Sequence, residues 1–262
     1  MILLPEREGL EPLPELIWNL DQFSARRRLE RSRIRVLDWG CGTGVAVQSL
    51  WQQGWDVYGV DIEARAVDFG NTVIGSERLF LVDEAGRTRF PDGYFDFVYS
   101  QAVFEHVVDP LLSVHEIRRI SANSAGGLHI LPAPFMPIEP HIAMPFVHWL
   151  PKNRFRRLYI LGCCQLGIGL TSEINKRAVR GMDMRQKVDF EYEYLDEHTF
   201  YRQFWQLGGA FRKAGFRVSY PVLNHHKLAP FRRVLLLPGL KSLAGILLLT
   251  FVTIHIETKV GD

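Results

Sequence analysis

The stretch Ile34 to Gly44, IRVLDWGCGTG, constrains the fold of this chain more than any other. A run of branched apolar residues (Ile34, Val36, Leu37) ends in an acid, Asp38, and then in glycine at every second position: Gly40, Gly42 and Gly44. Such a run reads as a buried parallel strand that breaks into a tight loop, with a helix from about Val45. Glycine admits positive φ and removes the Cβ that would hold a ligand away from the main chain. The loop is therefore expected to be a binding surface made of backbone, Cys41 included.

The spacing selects the ligand. A dinucleotide site needs G-x-G-x-x-G and a helix N-terminus for a pyrophosphate, whereas here the third glycine arrives one residue early. A carboxylate at the strand end repels a pyrophosphate and favours a cationic ligand; S-adenosylmethionine carries both an ammonium and a sulfonium. After the first helix, VYGVDIE sets Asp61 at the tip of a second strand, Asp56 to Val60, followed by Ile62. A carboxylate there can accept from two ribose hydroxyls. Asp38 as a mere helix cap is the structural alternative, and the pairing with Asp61 weighs against it.

On VLDWGCGTG (Val36 to Gly44), GVDIE (Gly59 to Glu63), FPDGYFDFVYSQAVFEHVVDP (Phe90 to Pro110) and AGF (Ala214 to Phe216), the chain resembles the class I S-adenosylmethionine-dependent methyltransferases, and within them the type 11 group. The resemblance is close over the first half and holds in outline over the second. Trp39 departs from it, standing where the family more often has a small aliphatic residue; its side chain is not expected to be needed at the ligand. The resemblance implies a doubly wound, Rossmann-like α/β sheet of seven strands, the last antiparallel. It sets Asp83 or Glu84 against the adenine amino group and puts Glu105 and His106 beside the methyl donor, while the carboxyl end of the strand Tyr94 to Tyr99 is expected to bring Ser100, Gln101 and Ala102 to the crevice. His106 could take a proton from the nucleophile, or the pair could brace the loop from the start of a helix.

Composition bounds the rest. With 262 residues, 47% hydrophobic and 23% charged, the chain suits one domain (1–262) with an insertion. A net charge of +2 names no partner, and DNA is not expected. Three cysteines (Cys41, Cys163, Cys164) make neither a disulfide framework nor a zinc pattern, which suits a reducing cytoplasm. MILLPEREGLEP lacks the basic start and apolar core of a signal peptide.

In chain order, helices are expected over Pro14 to Glu30, Val45 to Gln53, Ala64 to Gly70, Pro110 to Ile120 and His198 to Ala214. Strands are expected over Arg78 to Val82, Tyr94 to Tyr99, Gly127 to Leu131 and Phe216 to Leu223, with His129 packed in the core. Leu240 to Leu249 reads as a helix and Thr250 to Thr258 as the final strand. The apolar run Val234 to Ile256 is broken by Pro238, Gly239 and Lys241, so it falls short of the ~20 residues of a membrane span.

Residues 132–197 are too long for a simple connection and too aromatic for a disordered linker. Leaving from the carboxyl edge of the sheet, they are expected to roof the methyl donor as a substrate lid. Within them Glu139 and His141, held by Pro140, are candidates for recognition or base catalysis. No metal is expected, because no cluster of His, Cys and acids at ligand spacing accompanies them. Lys152 to Lys187 mixes cations with Phe155, Leu158 and Tyr159, suiting an acidic substrate or peripheral contact with a membrane surface. The expectation is methyl transfer to a small or lipid-linked metabolite by in-line displacement. The alternatives are a non-catalytic binding protein at a membrane, an RNA methyltransferase, and a nicotinamide-dependent oxidoreductase, which the early third glycine disfavours.

Overall fold

The computed structural model describes residues 10–169, 179–220 and 251–258. Its centre is a seven-stranded sheet built from β1 (Arg35–Trp39), β2 (Asp56–Asp61), β3 (Leu79–Leu81), β4 (Phe95–Gln101), β5 (Ser121–Pro132), β6 (Phe216–Ser219) and β7 (Phe251–Thr258). The strand order is β3-β2-β1-β4-β5-β7-β6. The first five strands run parallel and β7 runs antiparallel to both β5 and β6. The order reverses between β1 and β4, which is where open α/β sheets leave a crevice at their carboxyl ends.

Two-residue alternation sends β1 into both layers. Val36 packs with α1 (Pro14–Arg27), α2 (Val45–Gln52) and α3 (Ala64–Ile74) through Leu16, Leu20, Val47, Leu50 and Val67. Leu37 and Trp39 pack on the opposite side with α4 (Pro110–Ile120) through Val114 and Ile117. Burying a side chain such as Leu37 is worth roughly 1.5–3 kcal/mol, so a strand that does this on both faces is locked in register.

Several boundaries differ from expectation, each for a visible reason. The third helix does not stop at Gly70: a Cβ there would lie 2.4 Å from Leu79 and 2.6 Å from the Thr43 carbonyl, so this glycine serves close packing. The stop is Gly75, at φ +72°. β5 starts at Ser121 directly after α4, and the polar run SANSAGG concealed its first half. Glu105 and His106 lie in a turn, with the His106 amide bonded to the Val103 carbonyl, and do not begin a helix.

Between β5 and β6 a small separate core gathers Ile142, Met144, Val147, Ile160, Cys163, Cys164, Val188 and Leu195. It is built on α5 (Arg154–Gln165) and α6 (Met184–Glu197), the latter opened by a capping box from Asp183 and Gln186. The acidic, aromatic stretch Glu191 to Asp196 lies inside α6. The next helix, α7 (Phe204–Lys213), begins later than expected because residues 199–203 stay outside regular structure, with the Phe200 amide bonding the Glu105 carbonyl. The expected helix Leu240 to Leu249 lies outside the described residues. Among the described residues no helix is long and apolar enough to cross a membrane.

Candidate active site

At the carboxyl ends of β1, β2 and β4 lies a cavity of about 590 Å³, an ordinary size for a small-ligand site. Gly40, Asp61, Ile62, Asp83, Glu84 and His106 line it. Asp61 is fixed by two backbone donors, Gly42 N at 2.8 Å and Glu63 N at 3.0 Å, one on each carboxylate oxygen. Each oxygen keeps a lone pair for a ligand hydroxyl. Asp83 accepts from the Arg87 amide at 2.8 Å, closing a turn around Gly86. Ile62, 82% exposed, and Leu112, 62% exposed, offer apolar walls beside these acids.

The glycine loop works differently from its expected role as a bare backbone surface. The Gly40 and Cys41 amides both bond the Val60 carbonyl, Gly44 bonds the Cys41 carbonyl, and Gly42 holds Asp61. These donors are spent inside the protein, so the loop positions the strand tips. Of its glycines only Gly40, at φ +79°, lines the cavity, and a Cβ there would meet Val103 at 2.5 Å. The Cys41 side chain is buried against Gly59, and burial pushes its thiol well up.

Asp38 is buried one step behind the cavity wall, and Trp39, expected to be dispensable there, lines it instead. Burial lifts the Asp38 carboxyl from its usual 3.8 to about 7, with the Tyr99 hydroxyl opposing and the charge of Asp61 adding to the rise. The two acids are therefore neighbours, but Asp38 holds its charge poorly without a cation beside it. The Ser100 and Gln101 side chains turn away from the cavity. Ser100 Oγ meets His129 Nδ1 at 2.8 Å in the core, and Gln101 accepts from Leu13 N at 2.9 Å, tying down the start of α1. At β4 the crevice is walled by Ala102 and Val103.

His106 forms the far wall, and beyond it the segment after β5 closes in. The His106 and His141 rings are 4.8 Å apart between centroids. His141 Nδ1 meets Glu139 Oε1 at 2.5 Å, and Glu139 Oε2 accepts from the amides of His141 and Ile142 at 2.9 and 2.7 Å. Burial works against a charge on His141, but the hydrogen bond and charge of Glu139 outweigh it and hold its pKa above the usual value. Burial also depresses His106, against the pull of the His198 carbonyl on its Nδ1.

Sequence reasoning missed Tyr201, whose hydroxyl bonds Glu139 and lies 3.2 Å from His141 Nδ1. No sequence signal marks it, because its position depends on the irregular segment 199–203 before α7. The expectation of no metal cluster rested on spacing along the chain. The fold instead brings ligand atoms of Glu105, His106 and His141 within 4.8 Å of one another.

Comparison with known proteins bears on this arrangement. Residues 37–128 match a family model described as a methyltransferase domain. A probable chloroplastic tocopherol O-methyltransferase from Oryza sativa subsp. japonica is 32% identical over 102 residues, 37% of this chain and 28% of that protein. A ubiquinone biosynthesis O-methyltransferase from Photorhabdus laumondii subsp. laumondii is 27% identical over 129 residues, 42% of this chain and 53% of that one. The aligned part thus spans about a quarter to a half of these relatives' lengths. A solved S-adenosylmethionine-dependent methyltransferase from Mesorhizobium loti shares the fold, with a TM-score of 0.50 at 14% identity, covering 91% of this chain and 97% of that one. With sheet order and sequence match in agreement, residues 37–128 form a class I S-adenosylmethionine-dependent methyltransferase domain of the type 11 group.

Proposed function

We propose that this chain transfers a methyl group from S-adenosylmethionine to a small or lipid-linked metabolite. The observation that carries the proposal is adjacency: the cavity bounded by Gly40, Asp61, Ile62 and Asp83 ends at His106, one ring from the His141–Glu139 pair. A site for a donor and a cluster able to handle a proton share one wall.

The residues fit the donor. Asp61 keeps lone pairs that would take the ribose hydroxyls, Asp83 and Glu84 line the same cavity and would accept from the adenine amine, and Ile62 and Leu112 would supply faces for the base. Asp38, short of a cation, suits the ammonium end. The bound donor supplies an electrophilic methyl on sulfur. The chain's own part is to hold both reactants in line, keep water out, and activate the acceptor at His106 and His141, positioning being the larger share of such a rate gain.

The lipid-linked reading draws on the segment after β5. Trp149, Phe155 and Leu158 stand 46%, 59% and 61% exposed around α5, beside exposed Arg154. Such a face suits an acceptor that is part apolar, and peripheral contact with a membrane. Curated relatives carry names of the same chemical kind, tocopherol and ubiquinone biosynthesis among them. Incubation of the protein with methyl-labelled S-adenosylmethionine and fractionated cell extract should put label into a lipid fraction. Label in RNA instead would redirect the assignment, and donor binding without transfer to any fraction would leave a binding protein.

A further inference from the structure

Glu105 is 1% exposed, and among the described residues neither of its carboxylate oxygens has a hydrogen-bond partner. A buried carboxylate without a partner is costly, so the cluster it faces is incomplete as protein alone. Ligand-capable atoms of His106 and His141 lie within 4.8 Å of it. Both imidazoles are oriented through Nδ1: His106 by the His198 carbonyl at 2.6 Å and His141 by Glu139 Oε1 at 2.5 Å. A neutral ring that donates its Nδ1 proton to a carbonyl or carboxylate carries its lone pair on Nε2. That outer bonding is the usual support of a metal-ligating histidine. Glu139 is itself fixed by two amides and by Tyr201, as an orienting group should be.

We infer that Glu105, His106 and His141 hold a divalent cation of the zinc type at the inner end of the donor cavity. Two nitrogens and one carboxylate oxygen are the donor set of open zinc sites, which keep a further position for water or substrate. The ligands of one such ion stand roughly 3.4 Å apart, so its entry would draw the three side chains closer together. The surroundings favour a cation: Glu105, Glu139 and Glu191 are all fully or almost fully buried. Among the described residues, the one ion pair recorded for any of them is Glu139 with His141.

The ion's role rests on the methyl-transfer reading; its presence does not. An acceptor hydroxyl bound at the open position would be acidified toward neutral pH and give its proton to bulk solvent as it binds, before the site closes, so that His106 and His141 would act on the acceptor through the ion. The freed oxygen pair then forms the bond to the methyl carbon as the carbon–sulfur bond breaks, its electrons returning to sulfur. No oxidant or reductant is needed. Glu139 acts here as a positioning residue, holding the tautomer of His141.

The test uses the purified chain without donor or acceptor, stripped with a chelator and titrated with Co²⁺ as a spectroscopic probe. One equivalent should give the strong visible bands of a low-coordinate site, and Zn²⁺ should displace it. Glu105→Gln, close to isosteric, should weaken binding at least tenfold with an unchanged far-ultraviolet dichroism spectrum. Glu139→Gln should weaken it about 10–100-fold while removing no ligand. Absence of the bands, or a titration unchanged by Glu105→Gln and His106→Ala, overturns the site. Methyl transfer that persists in chelated protein removes the ion's role in activation, whereas tight Co²⁺ binding in a protein that transfers no methyl group would overturn the proposed activity and leave the site standing.

Discussion

The two halves of the site use polar groups in opposite ways. At the glycine loop and the strand tips they are consumed locally: the Gly40 and Cys41 amides bond the Val60 carbonyl, Asp61 accepts from the Gly42 and Glu63 amides, and Asp109 caps α4 through the Leu111 amide at 2.9 Å. At Glu105 and after β5 the chain buries acids and imidazoles beyond the strand tips, and among the described residues several lack hydrogen-bond partners, Glu105, Glu191 and His148 among them. The first half is thus a rigid frame whose ligand groups are set before any ligand arrives. The second is a polar interior whose buried acids and imidazoles would be completed by the proposed ion and acceptor.

The sharpest test of the frame is pH. Asp38 has a folded pKa raised to about 7 against the usual 3.8, so between those values the folded state binds the proton that the unfolded state has lost. Stability contributed by this group is therefore present at low pH and falls as pH rises from about 4 to 7, by about 1.4 kcal/mol per pH unit. Denaturation of donor-free protein across that range should show a steeper loss in the wild type than in Asp38→Asn. S-adenosylmethionine should flatten the wild-type curve, and identical slopes in the two proteins would remove Asp38 from the account.

Separability comes next. Leu37→Ala, in the fully buried sheet core, should cost about 3 kcal/mol in global unfolding. Ile160→Ala, in the small core after β5, should cut methyl transfer while leaving donor affinity within a factor of about two. If calorimetry finds that Ile160→Ala costs donor affinity as heavily as turnover, the two halves are one cooperative site. Asp61→Asn keeps the size of the side chain but weakens its grip on Gly42 and on a ribose, so donor affinity should drop about 10–100-fold, or about 1.4–2.8 kcal/mol. His141→Ala should leave donor affinity unchanged. The smallest effect is a gain: Gly209, in α7 with open space where a Cβ would go, should accept Gly209→Ala with about 0.5–1 kcal/mol of added stability in thermal unfolding.

Much of the frame was legible because its causes are local. Branched apolar runs ending in an acid and glycine place β1, β2 and their loop without knowledge of the rest, and α4 was read to its exact ends because Asp109, Pro110 and an apolar stripe mark it. What failed there was orientation. Strand alternation sends Ser100 toward His129 and leaves Ala102 and Val103 at the crevice, and the loop amides close on Val60. A motif gives the position of such residues but not the direction in which their groups point.

The sequence by itself determined β1, β2, the loop between them and the pair of acids at their tips, because periodicity and glycine spacing act within a few residues, while the seven-stranded sheet was implied by the family resemblance. Tertiary structure decided the chemistry beside the donor. Glu105, His106, Glu139, His141 and Tyr201 come from three separated stretches of chain, and their hydrogen bonds and pKa directions arise only where burial removes water from between them. Electrostatic partnership of that kind depends on distance through space and on desolvation, and neither is written in the spacing of residues along a chain.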